Sequence, residues 1–212
     1  MTLSFLLVLE LLGTIAFSVS GAAIGLRKNM DIFGVVILGL CTAVGGGVFR
    51  DLILGITPPN TFREPIYALL AIITAIIAFL PFVRRLFAKQ KRLADLLLLL
   101  MDSVGLGIFT VVGVGVAYHY PCNHGLFLMC FVGVITGVGG GILRDVLAGM
   151  MPYVFVKHFY ACASLIGSLV CTLLWKPLGE TWAMLIGAVL VIVLRLLAAK
   201  YRWSLPKARP VE

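Results

Sequence analysis

An eleven-residue phrase occurs twice in this chain: Gly45-Gly46-Gly47-Val48-Phe49-Arg50-Asp51-Leu52-Ile53-Leu54-Gly55 and Gly139-Gly140-Gly141-Ile142-Leu143-Arg144-Asp145-Val146-Leu147-Ala148-Gly149. Both copies follow a Thr-x-Val lead-in (Thr42, Val44; Thr136, Val138) and meet a proline at the same distance (Pro58, Pro152), an offset of 94 residues. The fold must therefore build one unit twice. Each glycine weakens a helix by about 1 kcal/mol relative to alanine, and the backbone groups it loosens cannot face hydrocarbon. The expected outcome is a kinked or broken helix, buried against protein or lining water. An arginine and an aspartate at membrane depth mark a functional site with partners inside the bundle.

Membrane depth is the right frame because mean hydropathy is +1.11, with 61% hydrophobic and 12% charged residues, outside the range of soluble domains. The net charge of +8 does not imply a nucleic-acid partner. The basic residues fall in short connections and at the C-terminus rather than on an aromatic-interleaved face. Membrane lipid is the expected partner. The five cysteines (Cys41, Cys122, Cys130, Cys162, Cys171) lack C-x-x-C spacing and read as small buried hydrophobes.

Seven apolar segments are expected. The first, Met1 to Leu26, reads as a retained helix rather than a signal peptide, since no basic residue precedes Arg27 and Glu10 interrupts the apolar run. It is also part of the duplication: Gly13, Phe17 and Gly21 match Gly105, Phe109 and Gly113 at an offset of 92, with Glu10 opposite Asp102. The second runs from Ile32 to Phe49, followed by a loop at Thr57-Pro58-Pro59-Asn60. The third, Pro65 to Val83, carries small residues at Ala68, Ala71, Ala75 and Ala78 for close helix contact. The fourth to seventh span about Leu93 to Ala117, Gly125 to Leu143, Phe159 to Trp175 and Thr181 to Ala199. Gly133, Gly137 and Gly141 give the fifth its small-residue spacing, while Trp175, Trp182, Trp203 and Tyr201 mark interfaces.

Three crossings per copy make the two copies point in opposite directions. The expected architecture is all-α and integral to the membrane. It comprises a first three-helix repeat over 1–83, a basic cytoplasmic connection over 84–92, a second repeat over 93–175, a seventh helix over 176–199 and a polar tail over 200–212. Inverted repeats whose interrupted helices meet at mid-membrane are an architecture of solute permeation, with the site at the pseudo-two-fold interface. Arg27, Lys28, Arg84, Arg85, Lys89, Lys91 and Arg92, with Arg195, Lys200, Arg202, Lys207 and Arg209, fall on one side. Only Arg50, Arg63 and Lys176 fall on the other. The N-terminus is expected outside and the C-terminus inside.

The candidate pore or gate residues are Gly45, Gly46, Gly47, Arg50 and Asp51 with their counterparts Gly139, Gly140, Gly141, Arg144 and Asp145. The triplets read either as unwound hinges that expose carbonyls or as close packing. Neighbours on a helix point about 100° apart, so each arginine is expected to pair with something other than its own aspartate: Arg50 with Asp145 or another acid of the opposite half, for example. The pairs form either a gate or a structural ion pair. Glu10 and Asp102 are secondary polar sites that either attract a cation or sit hydrated near an interface. Thr42, Thr136 and Ser18 either supply hydroxyl ligands or bond their own helices. His119, His124 and His158 lack close metal-ligand spacing and no nucleophile–base arrangement is evident, so neither metal, cofactor nor enzymatic activity is expected.

The doubled Gly-Gly-Gly-x-x-Arg-Asp motif, with Asp31-Ile32-Phe33-Gly34 ahead of the first copy, resembles the bacterial inner-membrane family whose duplicated domain is named a glycine transporter domain. That family is similar in architecture to the trimeric intracellular cation channels. The resemblance covers about Leu11 to Cys171 and implies a homotrimer with a pathway in each protomer, flanked by kinked second and fifth helices. The expected function is passage of a small cation such as K⁺, or of a small zwitterion. A saturable glycine transporter is the close alternative and a non-transport scaffold a remoter one.

Overall fold

The computed structural model describes residues 2–121, 125–156 and 159–203. Cys122, His124, His158 and the tail beyond Trp203 lie outside the described residues. The described residues are helical nearly throughout: α1 (Thr2–Arg27), α2 (Ile32–Ile53), α3 (Asn60–Arg63), α4 (Ile66–Phe79), α5 (Pro81–Lys89), α6 (Lys91–His119), α7 (Leu126–Leu147), α8 (Tyr153–Val156), α9 (Tyr160–Leu178) and α10 (Glu180–Tyr201). Six of them, α1, α2, α6, α7, α9 and α10, are long and apolar enough to cross a membrane.

The third expected segment differs. It is split at Leu80, whose ψ of 143° is extended, because the following Pro81 excludes a helical residue before it. The apolar part, α4, has 14 residues, about 21 Å at 1.5 Å per residue, and is too short to be counted as a span on length. Part of the expected basic connection is itself helical, as α5. The loop after α2 likewise contains a turn of helix, α3.

The glycine triplets do not break their helices. Both α2 and α7 run unbroken through them, so the unwound hinge gives way to close packing. A Cβ on Gly46 would strike the carbonyl oxygen of Thr136, and one on Gly140 would strike that of Thr42. The contact is reciprocal: each glycine fits the counterpart of the threonine four residues before it. Rising numbers on α2 meet falling numbers on α7, so the two helices cross antiparallel. Without side chains between them the backbones approach closely, as small-residue interfaces in membranes allow.

The same reciprocity orders α1 and α6. Gly105 makes room for the ring of Phe17, and Gly13 for that of Phe109, with Phe109 Cζ 3.1 Å from the Cβ position. The two phenylalanines meet at a centroid distance of 5.2 Å. Gly21 lies against Thr42 and Leu38 of α2, and Gly113 against Thr136 and Val132 of α7. Thus α1, α2, α6 and α7 form the centre of the molecule.

Around that centre, α4 lays Ala71, Ala75 and Ala78 inward, with Ala75 Cβ 3.0 Å from the Cβ position of Gly39 on α2 and Ser18 donating to Ala71 O at 2.7 Å. On the other flank α9 packs against α7 and α10 against α6 and α9. Trp175, near the end of α9, faces protein and not the outer surface. It is 5% exposed, stacked near Tyr118 at 4.9 Å in a cluster with Leu9, Val111 and Met184, while Trp182 and Trp203 are exposed as expected. Cys130 and Cys171 are buried, but Cys41 and Cys162 are half-buried.

Gly46→Ala should cost about 1–3 kcal/mol through overpacking at the α2–α7 crossing. In thermal unfolding of detergent-solubilised protein, Gly46→Ala should melt clearly below wild type. Gly125→Ala, where nothing lies within 4 Å of the new methyl, should not.

Candidate functional site

Each copy of the repeated phrase ends its helix in the same way. Leu54 N–H returns to Arg50 O at 3.0 Å and Ile56 N–H to Asp51 O at 2.8 Å, while Ala148 returns to Arg144 O at 3.0 Å and Met150 to Asp145 O at 2.8 Å. Gly55 (φ 73°) and Gly149 (φ 64°) sit in the left-handed region this helix ending requires. The arginine and aspartate of each copy are thereby held in the last turn.

The aspartate then turns both ways. Asp51 Oδ2 accepts the N–H of Asn60 at 2.7 Å and Asp145 Oδ2 that of Tyr153 at 2.8 Å, so each carboxylate fixes the segment after its helix. The other oxygen accepts the Nε–H of the preceding arginine, at 2.8 Å in both copies. The expectation that neighbours would not pair is therefore corrected. Their Cβ directions do diverge, but the three-carbon arginine stem curls back and presents Nε rather than its terminal nitrogens.

Those terminal nitrogens remain for a second acid, and it is the secondary site of the same half, not the opposite aspartate. Arg50 Nη1 donates to Glu10 Oε1 at 3.2 Å, and Arg144 Nη1 to Asp102 Oδ1 at 2.5 Å. Glu10 and Asp102 are thus paired acids rather than hydrated interface residues. The last glycine of each triplet faces its own arginine at ordinary contact distance, with the Cβ positions of Gly47 and Gly141 3.8 Å from Nη2 of Arg50 and Arg144, and a Cβ on Gly141 would crowd Tyr160 Oη at 2.8 Å. Gly45, Gly46, Gly139 and Gly140 serve the helix crossing. Thr42 and Thr136 donate to Leu38 O at 2.5 Å and Val132 O at 2.6 Å on their own helices.

Four partners were not expected from the sequence: Tyr67 and Ser20 in the first half, Tyr160 in the second, and Arg195 beyond the repeat. Tyr67 Oη donates to Glu10 Oε2 at 2.6 Å, and its counterpart Tyr160 Oη lies 3.4 Å from Asp102 Oδ1. Extending the alignment past the proline loops would have matched these tyrosines, 93 residues apart. Ser20 and Arg195 carried no such signal. Ser20 Oγ accepts from Arg144 Nη1 at 2.5 Å. Arg195 of α10, expected among the charges on the tail side, is 3% exposed, with Nη2 3.6 Å from Asp102 Oδ2 and its guanidinium 4.5 Å over the Tyr160 ring. Arg50 is likewise buried, so neither arginine counts toward interfacial charge.

The halves differ in access. Arg144, Asp102 and Asp145 are all but inaccessible, whereas the Glu10 side chain is 13% exposed. A cavity of about 420 Å³ lies against the first cluster, lined by Glu10, Thr14, Gly47, Arg50, Glu64 and Tyr67. A recess of about 1040 Å³ lies elsewhere, among Arg27, Met30, Arg84, Arg85 and Asp95, with Arg27 and Asp95 paired at 2.7 Å.

Residues 7–82 and 99–176, each ending just past one tyrosine-capped cluster, both match the family model described as glycine transporter. The chain belongs to that family. The glycine transporter family resemblance extends to whole proteins: the UPF0126 inner membrane protein YadS of Escherichia coli (strain K12) is 36% identical over 201 residues, spanning 93% of each chain. The UPF0126 membrane protein YvgT of Bacillus subtilis (strain 168) is 34% identical over 93% of this chain and 94% of its own. Among solved structures, a prokaryotic TRIC channel in 0.5 M KCl superposes with a TM-score of 0.85 at 34% identity, over 97% of this chain and 100% of that one. The TRIC trimeric intracellular cation channel orthologue from Rhodobacter sphaeroides gives 0.84 at 33%, over 93% and 98%.

Removing one charge from the buried second cluster should be the more damaging change. Asp102→Asn leaves Arg144 and Arg195 short of an anion and should cost about 3–5 kcal/mol. Glu10→Gln, at a partly hydrated position, should cost less. Unfolding midpoints of the two variants in the same detergent check the order.

Proposed function

We propose that this glycine transporter family member is a bacterial inner-membrane permeation protein that passes a small cation, K⁺ in the first instance. The observation that carries this reading is the pair of buried arginine–carboxylate clusters at the ends of α2 and α7, one of them opening on a polar cavity, in a chain that superposes on TRIC channel structures at TM-scores of 0.84 and 0.85. Buried charge of this kind is costly in a membrane and is kept for a pathway. Catalysis plays no part in the reading.

The architecture that goes with it is two inverted three-helix repeats, within 1–83 and 93–175, with α4 as the short third crossing of the first and α10 as a seventh helix. The reciprocal, antiparallel contacts of α1 with α6 and α2 with α7 support it. The pathway lies within each protomer at the repeat interface. Gly45, Gly46, Gly139 and Gly140 hold the crossing, and Arg50, Asp51, Arg144 and Asp145 with Glu10 and Asp102 form its charged constriction. A homotrimer is proposed from the trimeric TRIC neighbour. With Arg50 and Arg195 set aside as buried, Arg27, Lys28, Arg84, Arg85 and Arg92 still outweigh Arg63 and Lys176, which supports an outside N-terminus and an inside C-terminus.

A saturable glycine carrier is the second reading, favoured by the family's description and by a cavity with both acid and guanidinium on its wall. Recording from purified protein in planar bilayers under a KCl gradient separates the two. Discrete openings that reverse near the K⁺ potential are expected. Reversal near the Cl⁻ potential, or silence together with saturable uptake of labelled glycine, would overturn the channel reading.

A further inference from the structure

The duplication invites the assumption that both clusters do the same work, and the geometry argues against it. Asp102 is held from three directions: by Arg144, by Tyr160 and by Arg195 from the helix outside the repeat. Arg144 is itself tied to Ser20 of the other half and to Asp145. With two arginines and two aspartates, this cluster balances its charge internally and is closed to water. Glu10 has one contact to Arg50, at 3.2 Å, and one to Tyr67, and among the described residues no second arginine forms a salt bridge with it. Arg50 faces two acids, Glu10 and Asp51, with Glu64 also on the cavity wall, so the first cluster has a formal excess of negative charge where it meets the cavity. Glutamate in place of aspartate adds a methylene and a rotatable bond to the group that must move.

We propose that the two halves have divided their roles: Glu10, with Arg50 and Tyr67, is the gate and the cation-selecting residue, while Asp102–Arg144 is a fixed strut locked by Arg195. This rests on the channel reading above. Opening is an exchange of counter-ions. The Glu10 carboxylate leaves the Arg50 guanidinium and the Tyr67 hydroxyl and turns into the cavity, where a permeating monovalent cation replaces them as its partner. In the second half Arg195 is a tethered cation that occupies the corresponding role permanently, so Asp102 does not take a permeating ion as its partner.

Two measurements test the division. In bilayer recordings, Tyr67→Phe removes one hydrogen bond to a carboxylate and should raise open probability about tenfold or more, and Glu10→Gln should lower the K⁺-to-Cl⁻ permeability ratio. Tyr160→Phe, the same one-atom change at the strut, should move open probability much less than Tyr67→Phe. Equal effects, or a larger one at Tyr160, would overturn the proposal. The second measurement needs no current. In a background with the native cysteines replaced, and with folding checked by monodisperse elution, a water-soluble methanethiosulfonate should label Glu10→Cys in liposomes far faster than Asp102→Cys. Comparable rates would sink the division even in a conducting protein, whereas selective labelling in a protein that passes no current would sink the channel reading and leave the asymmetry standing. If Asp102→Cys does not fold, the tyrosine pair decides.

Discussion

A guanidinium in a membrane interior must be given its counter-charges by the protein, and two of them here determine where nearly everything else lies. Arg50 and Arg144 each take one carboxylate from the next residue and another from the first helix of the same half. Neutralisation therefore ties α2 to α1 and α7 to α6. The same aspartates tie the segments that follow, through the N–H groups of Asn60 and Tyr153. One residue in each half thus serves as counter-ion and loop anchor, which is why the Arg-Asp order of the phrase is repeated intact. In the second half, losing Asp102 leaves two buried guanidiniums to one carboxylate, a larger penalty than losing an ordinary contact.

The glycines supply the space in which this can happen. Gly46 and Gly140 let α2 and α7 cross with backbone against backbone, while Gly45 and Gly139 admit the side chains of Leu143 and Phe49 from the opposite helix. The membrane setting makes such packing effective, since lipid offers no hydrophobic reward for bulkier side chains between helices. Sequence and geometry meet at one point: a helix end that is closely packed on one side and ion-paired on the other. In the proposed channel, a pathway at that junction opens by rearranging polar partners, with the helices themselves left whole.

The duplicated phrase, the membrane class, the Glu10–Asp102 equivalence and the small-residue face of α4 were all legible in the chain, because each is a matter of residue type at fixed spacing. What was not legible depended on side-chain reach or on elements outside the repeat. Arg50 pairs with Asp51 through a curled stem that a helical-wheel argument ignores. Arg195 has no counterpart to announce it and sits among residues that look like an ordinary interface end. Trp175 packs in the core with Tyr118 and Met184, a burial that its place at a helix end did not announce. The break at Leu80 was foreshadowed by Pro81, whose effect on the preceding residue outweighs the apolar run around it.

The asymmetry between the clusters gives the fold a simple mechanical logic. In the proposed division, the half that Arg195 of α10 contacts is the fixed strut and the half that opens on a cavity is the one that changes partners. Thallium influx into proteoliposomes, followed in parallel with labelled glycine, tests the account most directly because it reports the permeant itself. Rapid thallium entry that rises linearly with concentration, ignores added glycine and slows in Glu10→Gln is the predicted result. Entry no faster than in protein-free vesicles, beside saturable glycine uptake, would contradict it.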